Sequence, residues 1–264
     1  MTNSQKSDVP KGVRRRPGFV YTFYSYKGGV GRTMALANVA ALLSQAFRVL
    51  VIDWDLEAPG LERYFSNPPS VLYGSRKEKP GLVDLIVAYR EGKQINWRDC
   101  LLEVSCFPTG SRISILTAGQ DTHTYVDKLQ QLDWASLFSS NDFGWYLEKL
   151  RRQWTEEFDF VLIDSRTGIS DIGGICTVLL PDVLILMFTT NQQSMDGVLD
   201  VFKEHGEHKT HWASIAAVCW PFLFLLEMRA ALNTNRHKSG ERYLLTNSVS
   251  FTKTGFPKVH QHWM

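Results

Sequence analysis

The chain has 264 residues, of which 44% are apolar and 21% are charged. This length and composition are sufficient for one sizeable hydrophobic core, and they exclude a disordered or fibrous protein. The 29 basic and 27 acidic residues leave a formal net charge of +2, which by itself is too small to indicate nucleic-acid binding.

The N-terminal segment, residues 1–17, is polar and basic without periodicity and is predicted to be a flexible arm. It lacks the apolar run and the small-residue cleavage site of a secretory signal, so export is not expected. The four cysteines show no C-x-x-C pair and no metal-ligand spacing, which favours free thiols in a cytoplasmic protein. The longest apolar stretch, residues 213–226, is interrupted by Trp220-Pro221 and is shorter than the roughly 20 residues that cross a bilayer, so no transmembrane helix is predicted.

From Gly18 onwards, short apolar runs alternate with longer amphipathic segments. The apolar runs predict strands at 19–24, 48–52, 113–117, 158–163, 183–188 and 215–219. The longer segments predict helices at 33–46, 81–90, 125–138, 145–156, 170–179 and 195–204. Most of these strands are continuously apolar, which is typical of parallel strands covered on both faces. The pattern predicts a doubly wound, mostly parallel α/β sheet with helices on both faces, whose ligands bind beyond the carboxyl ends of the strands.

A glycine-rich loop joins the first predicted strand to the first predicted helix. Its sequence is Ser25-Tyr26-Lys27-Gly28-Gly29-Val30-Gly31-Arg32-Thr33-Met34. The glycines permit tight backbone torsions and leave the amide hydrogens uncovered, so a polyphosphate can approach the chain closely. The N-terminal dipole of the following helix adds to this attraction. Thr33 supplies a hydroxyl at the position where the motif G-x-x-x-x-G-K-[ST] places its magnesium ligand.

The loop departs from that motif at two positions: Ser25 stands at the first glycine, and Arg32 replaces the lysine. Arg32 can bind two phosphate oxygens through its planar fork, but it is not equivalent to a lysine point charge, so slow turnover is expected. The structural alternative is that the loop is only a connector. Lys27, Arg32 and Thr33 in the same loop favour the phosphate-binding interpretation.

Carboxylates follow two other predicted strands at the same edge of the sheet. Asp53 and Asp55 come directly after one strand, and Asp164 ends another. Phosphoryl transfer requires a carboxylate near the metal ion and a group that orients water. The alternative for Asp53 and Asp55 is that they cap the following turn, and Glu57 is interpreted as a less certain, solvated residue.

These motifs resemble those of the ParA/MinD superfamily of ATPases. The loop is similar to the deviant Walker A motif K-G-G-x-G-[KR]-[ST], and residues 23–40 resemble a bacterial subgroup in which this domain precedes repeat or signalling domains. The resemblance implies a P-loop NTPase fold, bound ATP and Mg²⁺, and nucleotide contacts from the loop. The residues so implied are Gly28, Gly29, Val30, Gly31, Arg32, Thr33 and Met34.

The resemblance also implies individual roles. Lys27 is the catalytic residue that reaches across an ATP-sandwiched homodimer to the partner's phosphates, and Asp55 orients or activates the attacking water. The implied magnesium residues are Thr33, Asp53 and Asp164, with Asp164 acting through water. Residues 165–169 are expected to form a switch loop that senses the γ-phosphate. For Arg166, a phosphate contact and a surface salt bridge remain equally open.

The resemblance is clear from residue 19 to residue 202 and fades afterwards. Residues 218–223 show no counterpart of the family's base-binding asparagine. Asn191 is nearer the edge of the sheet where the ligand is expected, but it is equally interpreted as a turn residue. Residues 222–232 are predicted to form an amphipathic helix, with core packing favoured over a partner surface. Residues 18–232 are assigned to the ATPase domain and residues 233–264 to a basic tail of uncertain structure. A solvated tail is favoured over contact with DNA or an anionic membrane.

The sequence therefore predicts a cytoplasmic ATPase with slow hydrolysis, which dimerises on binding ATP and passes this signal to a partner protein or to DNA. One alternative is a nucleotide sensor without hydrolysis, in signalling or phage defence. A second is a DNA-partition ATPase that uses its basic ends.

Overall fold

The computed structural model describes residues 16–66, 70–107, 111–120, 122–139, 142–168, 174–189, 193–194 and 196–197, together with four later strands. Nine strands form the central sheet. They are β1 (Phe19–Tyr24), β2 (Val49–Asp53), β3 (Val71–Tyr73), β4 (Leu101–Ser105), β5 (Arg112–Leu116), β6 (Phe160–Asp164), β7 (Val183–Phe188), β8 (Ser214–Cys219) and β9 (Phe224–Met228). β10 (Val249–Phe251) and β11 (Pro257–Val259) pair as a separate antiparallel sheet within the predicted tail.

The sheet has the strand order β3-β4-β5-β2-β6-β1-β7-β8-β9. Six consecutive strands, β5, β2, β6, β1, β7 and β8, are parallel to one another. They are the six strands that the apolar runs predict, with bounds within two residues. The predicted doubly wound, mostly parallel fold is therefore confirmed.

Three antiparallel strands extend the sheet at its edges, and none of them was predicted. β3 and β4 continue it beyond β5, and β9 pairs with β8. The predicted helix at 222–232 is wrong, because residues 224–228 form β9. A short apolar run is compatible with either a buried helix or a strand. Here it forms a strand because it pairs with β8 through backbone hydrogen bonds.

Five α-helices lie within the described residues. They are α1 (Arg32–Leu43), α2 (Leu82–Arg90), α3 (Tyr125–Gln130), α4 (Trp134–Ser139) and α5 (Asp142–Glu157). The single helix predicted at 125–138 is wrong. Asp133 accepts a hydrogen bond from the backbone N–H of Ser136 (3.1 Å), as a helix-capping residue does, and so begins α4 as a separate helix.

Two other predicted helices are described only in part. Within 170–179, the structure describes residues 174–179, and Ile175–Leu179 forms a π-helical turn. Most of 195–204 lies outside the described residues.

Hydrophobic clusters cover the two faces of the sheet. Along β2, Leu50 and Ile52 pack on one face with α2 and α5, whereas Val49 and Val51 pack on the other with α1. Alternate residues of a strand point to opposite faces, so a strand that is apolar throughout must be covered on both. In the described part of the chain, no helix is both long enough and apolar enough to cross a membrane.

Candidate functional site

The predicted site residues meet at one edge of the sheet. β6 lies between β1 and β2, with Asp164 in register with Phe23 on one side and with Asp53 on the other. Because these strands are parallel, their carboxyl ends coincide. The glycine-rich loop after β1 and the acidic segments after β2 and β6 therefore leave the sheet side by side.

The glycine-rich loop has an open backbone. Gly29 and Gly31 adopt left-handed torsions (φ 75° and 78°), which side chains disfavour. A Cβ added at Gly28 or Gly29 would meet no atom within 4 Å, so the backbone there borders open space. Val30 is buried and anchors the loop in the core, while Met34 is exposed.

The N-terminus of α1 has no side-chain cap. The N-cap position is occupied by Gly31, which has no side chain to accept a hydrogen bond from the backbone N–H groups of the first turn. The first amide groups of a helix lack partners within the helix and attract anions. Loop and helix together form a cradle that suits a phosphate group.

Thr33 and Arg32 both contact Asp164. Oγ1 of Thr33 donates to Oδ2 of Asp164 at 2.7 Å, and Nε of Arg32 donates to Oδ1 at 2.6 Å. The Arg32 guanidinium also donates to Asp55 (3.1 Å) and to Oγ of Ser25 (3.3 Å). Ser25, at the first glycine position of the motif, thus helps to orient the arginine that replaces the lysine.

Asp53 holds the segment that follows β2. Its carboxylate accepts hydrogen bonds from the backbone N–H groups of Asp55, Gly60 and Leu61 at 3.0–3.2 Å. Burial and the neighbouring charge of Asp164 raise the pKa of Asp53 to about 7. Burial likewise raises the pKa of Asp164, although Arg32 and Thr33 oppose the shift. Asp53 therefore caps the following turn, which is the alternative that the sequence left open for it, and it also borders the site.

A cleft of about 590 Å³ opens above these carboxylates. It is lined by Thr33, Asp53, Asp55, Ala58, Pro59, Gly60, Leu61, Arg63, Tyr64 and Asp164. The structure thus brings together the four residues that the sequence assigned to the metal ion and the attacking water. The sequence did not predict Arg63 and Tyr64 as site residues. The signal that could have indicated them is their position just after Gly60, in the segment that follows the acidic motif.

Three other predicted residues lie around the cleft. Lys27 does not line it, and its ammonium group lies 5.7 Å from the centre of the Tyr26 ring. Arg166 forms a salt bridge with Glu57 (2.5 Å), which is one of the two alternatives that the sequence left open. Asn191 and the end of the predicted switch loop lie outside the described residues.

Comparison with known proteins places the chain in a family. The family model of the CobQ/CobB/MinD/ParA nucleotide-binding domain matches residues 21–242. No curated protein sequence matches the chain.

Solved structures with a similar fold include apo McdA from Cyanothece, with a TM-score of 0.56 and 18% identity over 81% of this chain and 77% of that one. A plasmid partition protein from Borrelia burgdorferi has a TM-score of 0.55 and 16% identity over 77% and 79%. The septum site-determining protein MinD from Pyrococcus horikoshii, complexed with Mg-ADP, has a TM-score of 0.54 and 18% identity over 75% and 69%. At these identities the similarity shows the fold. The family match over most of the chain shows more: this protein belongs to the CobQ/CobB/MinD/ParA nucleotide-binding domain family.

Proposed function

We propose that the protein is a Mg²⁺-dependent ATPase whose ATP-bound form dimerises and acts on a partner protein or on DNA. The observation that carries this proposal is the contact of Thr33 with Asp164 at 2.7 Å, beside the open glycine-rich loop and with Asp55 on the same cleft. Family membership supports nucleotide binding at this place.

The loop would hold the phosphates. The backbone at Gly28 and Gly29 borders open space, and α1 begins at Arg32 without a side-chain cap. Polyphosphates bind to backbone amides in such loops and at such helix N-termini. Arg32 is the cationic side chain of this loop nearest to the carboxylates. It would exchange part of its present contacts for phosphate oxygens, which it can bind in pairs.

The residues at the cleft fit a magnesium ion. Thr33 Oγ1 and Asp164 Oδ2 are close enough for one cation to lie beside both oxygens. Magnesium is usually bound through one or two carboxylates and substrate phosphates, and no group of three His, Cys, Asp or Glu residues suited to a metal ion occurs in the described ranges. The ion would supply positive charge between the phosphate oxygens. Thr33 and Asp164 would hold it, with Asp53 fixing the adjacent segment.

Asp55 would orient the attacking water. It lines the cleft, and its side chain is 19% exposed, so it is accessible to a bound nucleotide while one oxygen binds Arg32. Lys27 does not line this cleft, which is compatible with a catalytic role at the phosphates of a second copy. The expected assembly is thus a homodimer with ATP at its interface.

Calorimetric titration tests the proposal. ATP should bind the wild-type protein in the presence of Mg²⁺, and Thr33→Ala should weaken binding in Mg²⁺ but have little effect in a chelator. The matched control is Thr124→Ala, at an exposed threonine away from the cleft, which should behave like wild type. Absence of ATP binding by the wild-type protein would overturn the proposal.

A nucleotide sensor without hydrolysis is the second candidate. The observation that favours it is the engagement of Arg32 by Asp164 and Asp55. An arginine that keeps these contacts when ATP binds does not stabilise the charge that develops on the phosphates during hydrolysis. Phosphate release from bound ATP in a single-turnover experiment supports the ATPase, whereas a stable ATP-bound dimer without release supports the sensor. If DNA is the partner, its binding should weaken steeply with salt.

A further inference from the structure

A second arginine, Arg63, borders the cleft. Arg63 lies in the 3₁₀ turn Leu61–Phe65. Along the sheet edge, the loop follows β1, Asp164 ends the central β6, and this turn follows β2. Arg63 lines the same cleft as Asp164 and Asp53.

The turn that carries Arg63 is firmly held. Leu61 and Phe65 are buried in the same cluster as Leu36 and Ala37 of α1. The carboxylate of Asp53 accepts hydrogen bonds from the backbone N–H groups of Gly60 and Leu61, at the start of the turn. A residue on such a turn is presented at a fixed place, as a ligand-binding side chain requires.

Contacts further along the same segment add to this rigidity. Glu62 forms a largely buried salt bridge with Arg76 (3.3 Å). Arg76 in turn donates to the backbone carbonyl of Gly119 (3.0 Å), and Tyr125 donates to the carbonyl of Leu56 (2.7 Å). The segment from β2 to the end of the turn is thus tied to α1, to the loop after β5 and to the start of α3.

The side chain of Arg63 folds back over Gly60. A Cβ added at Gly60 would lie 3.6–3.9 Å from Cδ, Nε and Cζ of Arg63. Gly60 and Arg63 both line the cleft, and Gly60 donates to Asp53. Within the described residues Arg63 forms no ion pair, whereas the adjacent Glu62 is paired with Arg76.

The charge of the cleft gives this arginine a role. Three carboxylates line the cleft, and Arg63 is the one cation among the described lining residues. Arg32 is buried and already bound to two of the carboxylates. A triphosphate with its magnesium ion remains negatively charged, so the cleft needs a further cation where the phosphate chain ends. An exposed guanidinium suits phosphate oxygens.

We propose that Arg63 binds the terminal phosphate of a nucleoside triphosphate and so distinguishes a triphosphate from a diphosphate. This inference rests on the proposed nucleotide binding and deepens it. Arg63 lines the same cleft as Asp55, which is proposed to orient the water that attacks this phosphate, and as Thr33 and Asp164, which would hold the magnesium ion.

The test compares the affinities of ATPγS and ADP, each with Mg²⁺, for the wild-type chain and for Arg63→Ala, Arg63→Lys and Arg152→Ala. Arg152 lies on α5 and is highly exposed, in a salt bridge with Glu156, which makes it a matched control. Arg63→Ala should weaken ATPγS binding about 10-fold to 100-fold, as expected for loss of charge-assisted hydrogen bonds. It should change ADP binding by less than about twofold, on the same reasoning, since the contact is absent with ADP.

Arg63→Lys should recover part of the lost affinity, and Arg152→Ala should equal wild type. Melting curves of all variants show whether each folds. An unchanged ATPγS affinity of a folded Arg63→Ala protein, or an equal loss for ATPγS and ADP, would overturn the inference. Failure of the wild-type protein to bind either nucleotide would instead overturn the proposed function.

Discussion

Nε of Arg32 donates to Oδ1 of Asp164 at 2.6 Å, and the two side chains are only 6% and 2% exposed. The same guanidinium binds Asp55 at 3.1 Å. One buried cation thereby binds two of the three carboxylates that line the cleft. A lysine has no planar fork with which to bind two carboxylates and a serine hydroxyl at once. The arginine therefore makes the site a stable ion-pair network with which a nucleotide must compete.

This network predicts a loss of stability when the arginine is removed. Arg32→Ala leaves the buried Asp164 without its cation, and breaking a buried pair from one side costs about 3–5 kcal/mol of unfolding free energy. Urea unfolding in the presence of a chelator measures the effect without magnesium. Arg152→Ala, which removes an exposed pair with Glu156, should change the unfolding free energy by less than about 1 kcal/mol. Equal stabilities of Arg32→Ala and wild type would show that the network does not stabilise the fold.

Asp53 predicts a specific dependence of stability on pH. Its pKa rises from an ordinary value of 3.8 to about 7, because of burial first and the charge of Asp164 second. Between these values the folded protein retains a proton that the unfolded chain releases, so the unfolding free energy falls as the pH rises. The slope contributed by this group is at most about 1.4 kcal/mol per pH unit, and its contribution ceases above about pH 7.

The contribution is isolated by measuring the unfolding free energies of wild type and Asp53→Asn from pH 4 to pH 8 in the presence of a chelator. Asparagine does not titrate, so the stability of the variant should fall less steeply than that of wild type below pH 7. Parallel curves for the two proteins would show that the carboxyl group of Asp53 titrates near its ordinary value.

A packing contact links the glycine-rich loop to Gly197. A Cβ added at Gly197 would lie 2.1 Å from Cγ of Tyr26, so Gly197→Ala must displace the ring. Overpacking of this kind costs about 1–3 kcal/mol, and the displaced ring would shift Lys27 and the neighbouring glycines. We expect weaker ATP binding in calorimetric titration. Gly144→Ala, on α5 where an added Cβ meets no atom within 4 Å, should leave ATP affinity unchanged, and equal affinities of the two variants would contradict this account.

The sequence predicted the parallel centre of the fold because burial on both faces requires continuously apolar strands. It did not predict the antiparallel edges for two reasons. β3 has only three residues, and the run that forms β9 is apolar enough for a helix. The break between α3 and α4 depends on a single capping residue, Asp133, inside a segment of otherwise helical composition.

For the site, the sequence placed Thr33, Asp53, Asp55 and Asp164 at one edge, because parallel strands end together. The sequence did not reveal ion pairs between residues that are far apart in the chain. Arg32 and Asp164 are 132 residues apart, and nothing in the local sequence shows that the arginine binds the carboxylates. Arg63 was overlooked because it follows the acidic motif by several residues and approaches the cleft only through the turn at Gly60.

The most direct test of the proposed ATP-dependent switch is size-exclusion chromatography with light scattering, with and without ATP and Mg²⁺, on wild type, Asp55→Ala and Lys27→Ala. Wild type should shift from monomer towards dimer when ATP and Mg²⁺ are added. Asp55→Ala should remain a dimer with ATP bound, because the water is no longer oriented for hydrolysis, and Lys27→Ala should dimerise poorly. Monomers of wild type and Asp55→Ala at ATP concentrations that saturate binding would contradict the account.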